Sequence, residues 1–306
     1  MLSNFFNLIA WLLDNWWVFH ILVVLSAAVW LIAGGSLRKV IKFLLYAATF
    51  SVLIVMTSSF FPFIGGKDFF LRTTIQLALI FYLLWCGFEA KRGEAVARFR
   101  EVARKPLFIA VSAFTLAFLF ASIFAYDPNA AFWSNYERGE GGFQMLHYYA
   151  FFALLVLFFD KKDDWIKLFR ISVLVSFLMI AYGVFANLGL APKFISTYPQ
   201  GPPAGFWKRL TQGRFHGSLG NPAYVAPYLI FSMFYLACLW NWSNIKGRLK
   251  KFIIYGGTLA FFLFFFLLSQ TRASIVGLGM AILVFLIYLI VSSHHRRKFL
   301  SVVLIV

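Results

Sequence analysis

Residues 252–268 read FIIYGGTLAFFLFFFLL, residues 269–274 read SQTRAS, and residues 275–291 read IVGLGMAILVFLIYLIV. Each flanking run is seventeen residues long and holds no charge. A hydrocarbon layer of about 30 Å takes roughly 17–25 apolar residues per helix, so the stretch reads as two membrane-crossing helices joined by a short polar turn. Neither run alternates apolar with polar residues, which disfavours a β-barrel.

Working outward, comparable runs occupy 16–33, 43–64, 73–88, 107–126, 143–159, 171–190 and 223–240. The expected fold is therefore all-α: a single polytopic transmembrane helix bundle over residues 1–306, with about nine complete spans. A tenth apolar segment begins at Phe299 and stops at Val306. Eight residues reach only about 12 Å, so it reads as a truncated span. Residues 1–15 are apolar but short, and are expected to lie on the membrane surface or to extend the first helix. Composition agrees. The chain is 62% apolar and 13% charged, with a mean hydropathy of +0.81, against about 45–50% and about 25% in soluble domains. A soluble enzyme, a disordered tail and a fibrous protein are excluded.

A net charge of +17 would suggest nucleic acid in a soluble protein. Here it reads as sidedness, and no nucleic-acid partner is expected. Loops 34–42, 89–106, 160–170, 241–251 and 292–298 hold 20 of the 28 Lys and Arg residues, and the alternate loops hold the other eight. The positive-inside rule places the rich set in the cytoplasm and the N-terminus outside. Trp16, Trp17, Trp30, Trp85, Trp133, Trp165, Trp207, Trp240 and Trp242 fall at or beyond span ends, where amphipathic rings settle. Cys86 and Cys238 are isolated near cytoplasmic ends, so neither a disulfide nor a metal site is expected. No dinucleotide, phosphate-loop or zinc-protease motif is present, and no cofactor is expected.

Three segments of the basic-poor set are unusual. The first is Asn135-Tyr136-Glu137-Arg138-Gly139-Glu140-Gly141-Gly142, where two acids and an arginine sit among glycines that let backbone come close to a ligand. It also reads as a solvated connecting turn. The second is Arg214-Phe215-His216-Gly217-Ser218-Leu219-Gly220-Asn221-Pro222. Asn221 suits an N-cap and Pro222 a first helical turn, so a helix N-terminus with free N–H groups would point outward beside Arg214. The plainer reading is a helix cap with a loop arginine. The third is Ser269-Gln270-Thr271-Arg272-Ala273-Ser274, a turn too short to carry Arg272 far from the headgroups. Arg272 either snorkels to lipid phosphate or faces the bundle and binds an anion. Jointly, three arginines and a helix N-terminus favour an outer-face anion site. A diphosphate on a polyprenyl carrier lies at that depth, and guanidinium groups would stabilise the charge developing on its leaving oxygen.

The central parts of the spans hold no Asp, Glu, Lys or Arg, which weighs against an ion-coupled transporter. His20 reads as a packing residue. His147, three residues after Gln144 on the same helical side, reads as cavity-lining.

The order and loop side of these three motifs resemble the O-antigen ligase/polymerase superfamily of bacterial membrane glycosyltransferases. The resemblance covers about 107–291. Its most specific part is the R-x-x-G-[ST]-L-G-N-P pattern at 214–222, supported by S-x-T-R at 269–272. It implies a multi-pass bacterial inner-membrane protein that transfers or polymerises glycans carried on undecaprenyl diphosphate at the periplasmic face. The acceptor would be a glycan, lipid or protein. It further implies that Arg214 and Arg272 contact the diphosphate with Arg138 nearby. Glu137 would help hold the arginines. Gly217, Ser218, Gly220, Asn221 and Pro222 would shape the helix start, with Ser269, Thr271 and His147 supporting. His216 falls at a variable position and is not assigned as the base. Family members usually carry a large outer loop with a catalytic histidine, followed by more helices. The chain stops before such a loop, so the general base is expected to lie beyond it. Two other readings stay open: a small-anion (bicarbonate-type) transporter, and a non-catalytic fragment that binds a lipid diphosphate.

Overall fold

The computed structural model describes residues 2–135, 139–191, 194–195, 205–211 and 213–291. Among them every regular element is a helix. In chain order these are α1 (Leu2–Asp14), α2 (Trp17–Ile32), α3 (Leu37–Ala48) with a 3-10 extension (Thr49–Leu53), and α4 (Gly65–Leu84) with a π turn (Trp85–Glu89). Then come α5 (Glu94–Ala103), α6 (Pro106–Ile123), α7 (Pro128–Trp133), α8 (Gly142–Phe158) and α9 (Lys162–Asn187). The last are α10 (Phe206–Thr211), a 3-10 turn (Gly217–Leu219), α11 (Pro222–Trp242), α12 (Arg248–Leu268) and α13 (Arg272–Val291).

The local chemistry of the starts is legible. Pro106, Pro128 and Pro222 each occupy a first helical turn, where the missing N–H costs nothing. The Asp127 carboxylate accepts from Ala130 N–H at 2.9 Å, and the Asn221 side chain accepts from Ala223 N–H at 2.9 Å.

The described residues form three apolar clusters, and two of them join the long helices. One joins α3, α4 and α8 through Ile41, Leu44, Leu45, Ala78, Leu154 and Phe158. The other joins α9, α11 and α12 through Met179, Ile180, Leu229, Phe262 and Phe266, with Phe215 inserted from the turn before α11. The outward faces are apolar as well. On α6, Leu107, Phe114, Leu116 and Phe120 are all exposed, the pattern of a helix solvated by lipid.

The expected nine spans are not all reached. Among the described residues five helical segments are long and apolar enough to cross a bilayer: Gly65–Glu89, Pro106–Ile123, Lys162–Asn187, Pro222–Trp242 and Arg248–Leu268. α1 and α2 together make a sixth if their 80° bend is read as one broken span. Gly142–Phe158 and Arg272–Tyr288 are apolar but shorter. The expected span 43–64 is not one helix. Regular helix ends at Ala48, the 3-10 extension ends at Leu53, and Ile54 is extended. Beyond it Thr57 and Ser58 bond to the Asp14 carboxylate, and Met56 N–H donates to Pro62 O at 2.9 Å. The third span starts at Gly65, eight residues earlier than hydropathy places it, because its first two turns carry Lys67, Asp68 and Arg72.

Several residues of each loop set bond within that set or to the helix ends beside it. In the basic-rich set Arg38 pairs with Asp160 at 2.8 Å and Arg98 donates to Leu157 O at 3.4 Å. Glu89 accepts from Ser36 Oγ and Leu37 N–H, both at 2.5 Å, at the start of α3. In the basic-poor set Lys67 bonds Ser218, Arg72 bonds Gly139 and Arg214 bonds Thr271.

Candidate functional site

The basic-poor end is built around two neighbouring arrangements. The first is the corner where α12 turns into α13. Phe215 N–H donates to Leu268 O at 2.9 Å, which lays residues 214–215 against the end of α12. Arg214 then donates from Nε to Ser269 O and from a terminal nitrogen to Thr271 Oγ1, both at 3.0 Å. A cation on the last carbonyls of a helix meets the negative end of its dipole. Thr271 Oγ1 donates in turn to Pro222 O at 3.1 Å, so the corner is tied to the start of α11. Ser269 is fully buried and its hydroxyl donates back to Phe266 O at 2.6 Å. Gln270 takes the left-handed conformation, φ 50°, that closes the turn. Arg214 retains an exposed flank, and Arg272, the next residue after Thr271, opens α13 in an exposed position.

The sequence therefore brings Arg214 onto the turn that carries Arg272. Glu137 and Arg138 lie outside the described residues. The expectation of free N–H groups at the start of α11 is corrected. Pro222 has none, Ala223 N–H is taken by the Asn221 side chain, and Tyr224 and Val225 N–H both point to Asn221 O at 3.0 and 3.2 Å.

In the second arrangement the sequence reading named His147, on the Gln144 side of its helix, but missed Lys67, Arg72 and Gln76. Lys67, at the start of α4, donates to Ile54 O at 2.5 Å and to Ser218 O at 2.8 Å. One turn on, Arg72 donates to the Gln144 side chain and to Gly139 O, and its guanidinium lies 5.3 Å from the Phe143 ring centre. One further turn on, Gln76 Nε2 lies 3.0 Å from His147 Nε2 while His147 Nδ1 lies 2.8 Å from Phe143 O. With the amide oriented as placed, Gln76 donates to Nε2 and Nδ1–H donates to the carbonyl. His147 is thus a buried strap between α4 and α8, on the face that carries Gln144. The available signal was two cations, Lys67 and Arg72, in a loop set that should hold few.

These groups wall two cavities. One of about 500 Å³ is lined by Lys67, Asp68, Glu140, Tyr148, Asn221 and Tyr224, with Phe61, Phe63 and Gly220 also on its wall. A smaller one of about 210 Å³ lies past Asp68 and Arg72, against Trp133, Asn135 and Gly139. The larger cavity carries aromatic rings, an ammonium and two carboxylates, a lining suited to a polyhydroxylated ligand.

The glycines of both motifs let the protein's own side chains and backbone pack closely. A Cβ on Gly139, whose φ is +62°, would stand 2.1 Å from the Asp68 carboxylate. One on Gly141 would stand 2.3 Å from Phe132 O. Ser218 is buried and donates to Val52 O at 2.8 Å. His20 is likewise a packing residue, 2.9 Å from Thr74 Oγ1 among Trp16, Phe19 and Phe70.

Burial, with the Arg214 guanidinium beside it, holds the His216 imidazole below its ordinary value. The unfolded chain therefore binds a proton near pH 6.5 that the folded chain takes up only at lower pH (reference about 6.5). Stability due to this group is intact above that value and falls as pH drops through the window below it. In thermal unfolding from pH 7.5 to 5, His216→Gln is expected to shallow the acid-side loss. An unchanged slope would remove His216 from that role.

Comparison with protein-family models, curated proteins and solved structures finds no match.

Proposed function

We propose that the chain is a membrane glycan transferase of the O-antigen ligase/polymerase type, taking a polyprenyl-diphosphate-linked oligosaccharide as donor at the outer face of a bacterial inner membrane. The observation that carries this reading is the junction of the two arrangements. Arg214 is locked on the turn that presents Arg272, and Thr271 ties that turn to Pro222, next to the cavity residue Asn221. A diphosphate at the corner would place its sugars toward the cavity. There Asp68 and Glu140 can accept from hydroxyls while Tyr148 and Tyr224 offer ring faces. The guanidinium groups would stabilise the diphosphate as the anomeric bond breaks, without a metal in the scheme. The order of the three motifs supports the same reading. The basic-rich end then faces the cytoplasm, and the N-terminus lies outside.

The test is binding of undecaprenyl diphosphate to the purified full chain in neutral detergent, with undecaprenol as the phosphate-free control. The diphosphate is expected to bind at least tenfold more tightly than undecaprenol. Arg272→Ala should lose about tenfold, and Arg272→Lys should keep only part, since an ammonium lacks the two-pronged geometry. Equal binding of both lipids, or wild-type affinity in Arg272→Ala, would overturn the reading.

A further inference from the structure

The opposite end of the bundle carries a second site that glycan transfer does not use. Between α3 and the start of α9 lies a cavity of about 590 Å³ whose wall includes Arg38, Lys39, Lys42, Lys161 and Lys167, against two acids, Asp160 and Asp164. The acids are already engaged. Asp160 takes Arg38 at 2.8 Å, Lys42 at 3.6 Å and Arg98 at 3.9 Å. Asp164 takes Lys42 at 2.7 Å and the Tyr46 hydroxyl at 3.3 Å. Lys39, Lys161 and Lys167 have no ion pair among the described residues. Lys39 instead stands over the Trp30 ring at 5.5 Å and Lys167 over the Tyr46 ring at 5.6 Å. Those contacts hold each ammonium beside a ring face without taking up its N–H donors in an ion pair.

Next to this cavity is a groove of about 380 Å³ between α2 and α3, walled by Phe19, Leu22, Val23, Ala27, Trp30 and Phe43. From Phe19 to Trp30 it follows α2 for about 16 Å. Lys39 and Phe43 belong to both walls, so the apolar groove and the basic cavity are immediate neighbours. A free anion would use only the cavity, and an uncharged lipid only the groove.

We propose that this end binds an anionic phospholipid, with the headgroup phosphate held by Lys39, Lys161 and Lys167 and one acyl chain laid along α2. The net positive lining matches such a headgroup. By the positive-inside rule it also faces the leaflet surface whose anionic lipids attract Lys and Arg.

The probes are phosphatidylglycerol, phosphatidylcholine and inorganic phosphate, added to the delipidated full chain and read by native mass spectrometry. Phosphatidylglycerol is expected to be retained at least tenfold more tightly than phosphatidylcholine. The combined variant Lys39→Gln/Lys161→Gln/Lys167→Gln should erase that preference, each lysine near an anionic headgroup contributing roughly a factor of five. All three positions are exposed, so the fold is not at stake. Ser26→Trp, at an exposed position on the groove wall, should weaken retention of phosphatidylglycerol by filling the chain's path. Equal retention of the two lipids, a preference that survives the triple variant, or no effect of Ser26→Trp would overturn the proposal. So would displacement of phosphatidylglycerol by millimolar inorganic phosphate, which would identify a free-anion site instead.

Discussion

Arg72→Ala is expected to cost about 3 kcal/mol of folding stability, measured by thermal or denaturant unfolding in detergent, because it strips a charged donor from a buried acceptor. Gln144 is almost fully buried, and its Nε2 already has no hydrogen-bond partner among the described residues. Losing the Arg72 bond leaves its oxygen unpaired as well. The same change frees Gly139 O and removes the cation over Phe143. Arg72→Lys should recover only part of the loss, since one ammonium cannot reach both acceptors in the same plane. A double-mutant cycle separates the causes. Gln144→Leu alone should cost little, and in its background Arg72→Ala should cost about 1–2 kcal/mol less than in wild type. Additive losses would mean that Arg72 acts through Gly139 and the loop, not through Gln144. Glu140, on the wall of the larger cavity, follows Gly139, so under the proposed function the variant should also weaken undecaprenyl diphosphate binding.

Gly217→Ala is the second large effect. Gly217 has φ +55°, a conformation that costs an L-residue about 1–2 kcal/mol. Its added Cβ would lie 2.3 Å from Met179 Sδ and 3.3 Å from Met179 O. The sulfur belongs to a side chain with no exposed surface, so it cannot simply swing away, and overpacking adds about 1–3 kcal/mol. The expected total is about 2–5 kcal/mol. Gly183 is the other half of the contact, its own Cβ falling 2.7 Å from Gly217 Cα and 2.7 Å from the Phe215 ring. Gly183→Ala should therefore destabilise comparably, and the two changes together should cost less than their sum, because either one already separates α9 from the turn. Wild-type stability in both would show that this contact is slack.

Where the sequence could be read, the reason is local. Asn221-Pro222 spells a helix start whatever surrounds it. The long apolar runs of α6, α9, α11 and α12 have no soluble alternative, and the uneven distribution of Lys and Arg sorted the loops into two sets. What escaped depends on partners far along the chain. Lys67 and Arg72 made residues 65–72 look like a loop, yet they start α4. Their partners are carbonyls of Ile54, Ser218 and Gly139, which no residue type announces. The 43–64 run is apolar enough for a span, but its helix stops at Leu53, where the chain turns to meet Asp14 and Pro62. The glycines of the two outer motifs were visible; that they accommodate Asp68, Phe132, Met179 and Phe63 was not.

The corner at Ser269–Arg272 has a mechanical consequence. None of the described side chains of α13 is buried, although Leu278 touches the second core. Its first turn, by contrast, follows directly on Thr271, which is pinned to both Arg214 and Pro222. Among the described residues α13 is thus held mainly through its first turn, so a change that loosens the Arg214–Thr271–Pro222 tie acts on the placement of the whole helix.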